Sequence, residues 1–210
     1  MKGLFYKEAR CLWQYGKSYI LLVVIFFGLA FLNGGGEGTN PLWLLYPVFF
    51  VGSLPASLLS ADEKDGWLTY CDTLPIGRRQ IVSVKYVASA ALTAAIVVLA
   101  LLIGALAGRF AVTGGAAAPL PMLVSLLLAV GLGVPALMYP VMFRFGATKG
   151  RAVYIAVVMV AAATCAVLMT SESVSGALDA LPILPVIVAA AAVFIGSWAL
   201  SVKWFEGREL

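Results

Sequence analysis

Residues 60–79 bring the chain's reactive and charged side chains together: Ser60, Asp62, Glu63, Lys64, Asp65, Trp67, Tyr70, Cys71, Asp72, Arg78 and Arg79. Ser60 and Glu63 stand three apart, the spacing of a capping box, which predicts a fresh helix beginning there. Asp62, Glu63 and Asp65 would then crowd the positive end of that helix, which favours carboxylates. Trp67, Tyr70, Cys71 and Leu74 fall on one face of the following turns, and Pro75 and Gly77 stop them. The chemistry on offer is recognition. A helix resting on lipid accounts for Trp67 and Tyr70 but fits three acids beside anionic headgroups poorly. A soluble partner with apolar walls and complementary charge accounts for both.

Bond-making chemistry finds little support. The chain has no His, so the usual ligands of an intramembrane metalloprotease are missing. Ser83 and Lys85 are two apart and point to different sides of a helix, which argues against a Ser-Lys pair. Gly34-Gly35-Gly36-Glu37-Gly38 lacks the Gly-Lys-Ser/Thr ending of a phosphate loop and reads as a flexible turn. No Walker motif is present, so ATP hydrolysis is not expected in this chain. Cys11, Cys71 and Cys165 form no CxxC, and neither a metal site nor a disulfide is expected.

The elements that must position the 60–79 segment come from the distribution of charge. The chain is 62% hydrophobic and 11% charged, against about 25% charged in soluble domains. Six windows carry no charge at all: 18–36, 38–61, 86–108, 110–143, 152–171 and 180–202. A helix needs about 20 mostly apolar residues to cross a bilayer. Continuous apolar runs without strand alternation exclude a barrel. The expected fold is an all-α integral membrane protein with six spans, at about 18–33, 41–60, 80–107, 119–142, 151–170 and 183–203, in a single domain over 1–210. The first span lacks a cleavage pattern and is expected to stay.

With the N-terminus inside, the inner segments 1–17, 62–85, 144–151 and 203–210 hold every one of the 14 Lys and Arg except Arg109. The positive-inside rule then places both termini in the cytoplasm. Basic charge that follows topology in this way gives no nucleic-acid patch. Residues 2–17 read as an amphipathic interface helix. Lys7, Arg10, Gln14 and Lys17 face the headgroups, while Phe5, Ala9, Leu12 and Trp13 enter the acyl boundary. Pro55 is expected to kink the second span. Gly104 and Gly108 form a close-packing pattern in the third.

Asp62-Glu63-Lys64-x-Gly66-Trp67, followed by Thr73-Leu74-Pro75-Ile76-x-Arg78, resembles the inner loop of permease subunits of type V ABC exporters. The start, Met1 to Glu8, is similar to the same group, and in particular to small six-span bacterial peptide exporter permeases such as phenol-soluble modulin exporters. The motif-level likeness covers 1–10 and 60–80; Gly77 stands where many such permeases have Ser or Thr. The resemblance implies a coupling segment at 61–77 that docks on a separate ATPase. It makes Asp62, Glu63, Lys64, Trp67 and Leu68 docking residues, with Arg78 and Arg79 either docking or anchoring to headgroups. It further implies two ATPase copies holding ATP and Mg, a second permease copy (identical or related), and a location in the bacterial cytoplasmic membrane. An uncharged lining suits an apolar or amphipathic cargo, such as a helical peptide or a lipid-like compound; the resemblance implies the peptide class, antimicrobial or cytolytic.

Two other readings stay open on the residues themselves. One is a membrane anchor or immunity protein that recruits a partner without transport. The other is a sodium-coupled carrier, using hydroxyls such as Ser53, Ser57 or Ser125. Ion-coupled carriers usually place an ionisable group inside the membrane, and the six windows hold none. Paired broken spans in the two halves are also missing.

Overall fold

The computed structural model describes residues 2–33, 41–71, 73–75, 77–110, 120–146, 149–150, 152–153, 155–156, 159 and 183–207. The glycine run at 34–38 lies outside these, as do Cys165 and most of the expected fifth span at 151–170. The described elements are all helical: α1 (Lys2–Asn33), α2 (Pro41–Lys64), α3 (Trp67–Cys71), α4 (Arg78–Phe110), α5 (Leu120–Phe145) and α6 (Ile183–Glu206). All but α3 are long and apolar enough to cross a membrane, which accounts for five of the six expected spans.

Two boundaries differ from expectation. The interface helix at 2–17 and the span at 18–33 form one unbroken helix of 32 residues, about 48 Å long. Residues 2–33 contain no proline, and Gly16 alone does not break a helix that is seated by Leu4 and Glu8 towards one end and by Phe27 and Ala30 towards the other. Ser60 likewise starts nothing: α2 runs through it to Lys64, so the capping box does not form. The apolar face of α2 continues through Leu58 and Leu59, both buried, and carries the helix on. The stop comes at Gly66, whose φ of 68° is the left-handed conformation that ends helices and that glycine adopts most easily. Gly146, at φ 83°, ends α5 in the same way, its N–H bonded to the Met142 carbonyl at 2.9 Å. The Gly77 carbonyl accepts the first bond of α4, from the Gln80 N–H at 2.8 Å. Pro47, Pro55, Pro135 and Pro140 lie inside α2 and α5 without ending them.

The helix ends gather at one pole. Arg78 at the start of α4 bonds to carbonyls at the end of α6, Phe143 near the end of α5 packs on Phe205 of α6, and Lys85 of α4 reaches Glu8 of α1 and Asp62 of α2. A core of Leu59, Leu68, Ile81, Tyr139, Phe143 and Phe205 fills this pole. A second core, including Phe27, Leu44, Val48, Ile96 and Leu127, fills the other half.

Between the two cores α2, α4 and α5 approach closely. A Cβ on Gly131 would stand 2.5 Å from Thr93 Cγ2 and 3.1 Å from Val48 Cγ1. The Thr93 hydroxyl donates to the Gly131 carbonyl at 3.0 Å, so both residues belong to one contact. Gly131→Ala is expected to cost about 1–3 kcal/mol by overpacking. Adding Thr93→Ser removes the obstructing methyl, keeps the hydroxyl and recovers most of that loss. Thermal melts of the two variants in detergent check this. Gly104 also sits at a close contact: a Cβ there would stand 3.2 Å from Leu44 Cδ1, so its packing partner is α2 of the same chain. The side-chain surroundings of Gly108 lie outside the described residues.

Candidate functional site

Lys85 lies two turns into α4 on a face formed by Ile81, Lys85, Ser89, Thr93 and Val97, spaced four apart and all buried. Its side chain is 2% exposed, yet it carries a charge that cannot be left without a partner in such a place. Its ammonium lies 2.9 Å from Glu8 Oε1 of α1 and also donates to Asp62 Oδ2 of α2. Asp62 Oδ1 accepts from Lys7, whose ammonium is 3.6 Å from Glu8 Oε1. Two acids and two bases thus make a formally neutral cluster joining α1, α2 and α4. Lys7 also stands over the Trp67 ring, 4.7 Å from its centre, which ties the cluster to α3.

The next residues connect the remaining helices. Tyr139 of α5 donates its hydroxyl to the Lys85 carbonyl at 3.2 Å. The Tyr86 hydroxyl lies 2.7 Å from both Ser197 Oγ and Ser201 Oγ of α6. Ser197 in turn donates to the Ala136 carbonyl of α5 at 2.5 Å. Residues 85 and 86 are therefore where all five long helices meet through polar contacts. Buried hydroxyls and charges need such partners, and their directionality fixes the relative register of the helices.

The 60–79 segment wraps the outside of this junction. Asp62 and Leu68, expected on a docking face, are turned inward: Asp62 is 6% exposed and Leu68 4%. The reason is local. Asp62 belongs to the last turns of α2 and finds Lys85 and Lys7, while Leu68 and Cys71 seat α3 on the core. Glu63 and Trp67 are half-buried, and Lys64, Asp65, Thr69 and Tyr70 are exposed. The rings of Trp67 and Tyr70 pack tilted against each other, with centres 5.6 Å apart and planes at 43°. The outward face of this region thus consists of Lys64, Asp65, Thr69 and Tyr70, with Glu63 and Trp67 at its rim.

Arg78 donates to the carbonyls of Phe205 and Glu206 at 3.2 and 3.3 Å. These groups lack partners within their own helix, and a cation there also suits the negative end of the dipole. Arg79 is exposed, with its guanidinium 5.2 Å from the Trp198 ring. Ser83 bonds to the Arg79 carbonyl and to Trp198 Nε1, on a different side from Lys85, so no Ser-Lys pair forms. In the expected interface helix, Phe5, Arg10 and Trp13 face outward, but Lys7 turns into the cluster and Glu8 is buried. Sequence reading missed Glu8 and Lys85 as a pair. The signal available was the stripe through Ile81, Lys85, Ser89 and Thr93, which places a lysine on the buried face of a span.

A family model described as ABC-2 family transporter protein matches residues 3–206. The chain belongs to the ABC-2 family. It is accordingly a multi-pass membrane protein and a transmembrane subunit of an ABC transporter, the component that is not itself the ATPase. An ABC ATPase subunit is the partner that ABC-2 membership implies. No curated protein matches the chain.

Proposed function

We propose that this ABC-2 protein is a half-permease of an exporter that works as a pair of copies. Its charged pole faces the cytoplasm, where nearly all its basic residues would follow the positive-inside rule. The outward face at 63–70 seats on a separate ATPase, which holds ATP and Mg. The observation that carries this reading is the position of α3 directly outside the buried cluster, touching it through Trp67 and Lys7.

Force applied to α3 has a short path inward. Trp67 rests on Lys7; Lys7 pairs with Asp62; Asp62 and Glu8 hold Lys85. When two ATPase subunits close on ATP, the two docking faces are drawn together, and α1, α2 and α4 tilt as one body. Rigid rotation of packed helices requires no charged pathway. The cargo that suits a largely uncharged interior is apolar or amphipathic, with helical peptides a candidate class. The experiment is purification from native membranes under mild detergent, with partners identified by mass. An ABC ATPase in about equal amount supports the reading; a chain that purifies with no ATPase opposes it.

A further inference from the structure

We propose that the groove between α1, α2 and α4 is a binding site for an anionic phospholipid, with one acyl chain in the groove and the headgroup held by Arg10 and Lys17. The groove encloses about 540 Å³ and is lined by apolar side chains and glycine over almost its whole length, from Ala9 and Trp13 past Gly16 to Val24 on α1, with Leu54 of α2 and Leu92 and Leu99 of α4 opposite. Gly16 forms part of its floor, and a Cβ there would meet nothing within 4 Å.

Depth and charge select the occupant. The span reaches Asn33 and its charge-free part begins at Ser18, so Lys17 falls at the headgroup boundary and Arg10 about two turns outside it. From Gly16 to Val24 the helix rises about 12 Å, close to the thickness of one leaflet's core. Arg10 and Lys17 are both exposed, stand seven apart on α1 and so share a face of that helix, and bracket Trp13 and Gly16, which line the groove; Trp13 is 69% exposed. An exposed tryptophan beside basic residues at this level is the arrangement that receives headgroups. A second copy is a poorer occupant. Two copies paired about a twofold axis along the membrane normal would bring Arg10 and Lys17 of each to the same depth, like charge facing like. A cationic amphipathic cargo would meet the same repulsion.

The test measures phospholipid retained by the purified full-length protein from mixed vesicles of equal phosphatidylglycerol and phosphatidylcholine. Wild type is expected to retain phosphatidylglycerol with a preference on the order of tenfold, the scale set by two basic side chains near an anionic surface. Arg10→Gln with Lys17→Gln should bring the two lipids to parity while leaving the melting temperature in lipid-free detergent unchanged. Gly16→Leu should fill the groove and remove most of the retained lipid of both kinds. The proposal is overturned by equal retention of the two lipids in wild type, by a preference that survives the double substitution, or by Gly16→Leu retaining as much as wild type. It is also overturned if Gly16→Cys forms a disulfide between copies in place of holding lipid. None of these outcomes depends on ATPase docking, so this site and the half-permease reading fail separately.

Discussion

Lys85→Met is expected to remove most of the folded protein from the membrane. The substitution leaves Glu8 and Asp62, with side chains 5% and 8% exposed, facing an apolar methionine. Breaking a buried pair by deleting one partner costs about 3–5 kcal/mol, because the remaining charge has neither water nor counter-ion. Lys7 offers partial relief, since its side chain is 22% exposed and already holds Asp62. It cannot neutralise two carboxylates. Neutralising all three groups tells this mechanism apart from simple loss of packing. Lys85→Met with Glu8→Gln and Asp62→Asn should recover much of the yield, since replacing a whole buried ionic group by neutral residues is often tolerated. Yield of detergent-extracted monodisperse protein and its melting temperature measure both effects. A single variant that melts with wild type would contradict the buried cluster.

The second large effect is functional. Tyr70→Glu combined with Lys64→Glu should leave the permease folded, because both side chains are exposed and neither seats α3 on the core. Substitutions of that kind usually fall within about 0.5 kcal/mol in stability. If the 63–70 face docks the ATPase, removing an aromatic anchor and reversing a charge should cost at least about 2 kcal/mol of binding, or about thirtyfold in affinity. Co-purified ATPase and transport should fall together by at least that factor. Trp67→Ala is expected to behave differently. It removes the ring beneath Lys7 as well as the rim of the docking face, so it should lower stability and coupling together. Full coupling in the Tyr70/Lys64 variant would place the ATPase contact elsewhere.

Five long apolar helices were legible because charge is excluded from lipid, and that constraint writes itself into single residues. The expected limits 80–107, 119–142 and 183–203 lie within a few residues of α4, α5 and α6. The capping signal at Ser60 and Glu63 misled because a cap is worth about 1 kcal/mol and a packed apolar face outweighs it. Gly66, which does end the helix, stood out only as part of the motif. The cluster at Lys85 was hidden for another reason. Its pairs join residues 77 and 23 positions apart, and no periodicity within one helix reports which distant carboxylate will meet a given lysine. Glu8 has the look of a surface-helix residue because its neighbours Lys7 and Arg10 are basic; burial of its face follows only once α4 is beside it. Gly131 was invisible for the same reason, as its need for no side chain comes from Thr93 on another helix.

Contact between the exposed side of α3 and an ATPase is what the half-permease reading requires above all. A photo-activatable cross-linking residue at Tyr70 tests it in intact cells, with Leu106, exposed near the far end of α4, as the control position. The expected outcome is an adduct from position 70 whose second component is an ABC ATPase by mass, and no such adduct from position 106. An adduct from position 70 that contains no ATPase, or the same ATPase adduct from position 106, would refute that contact.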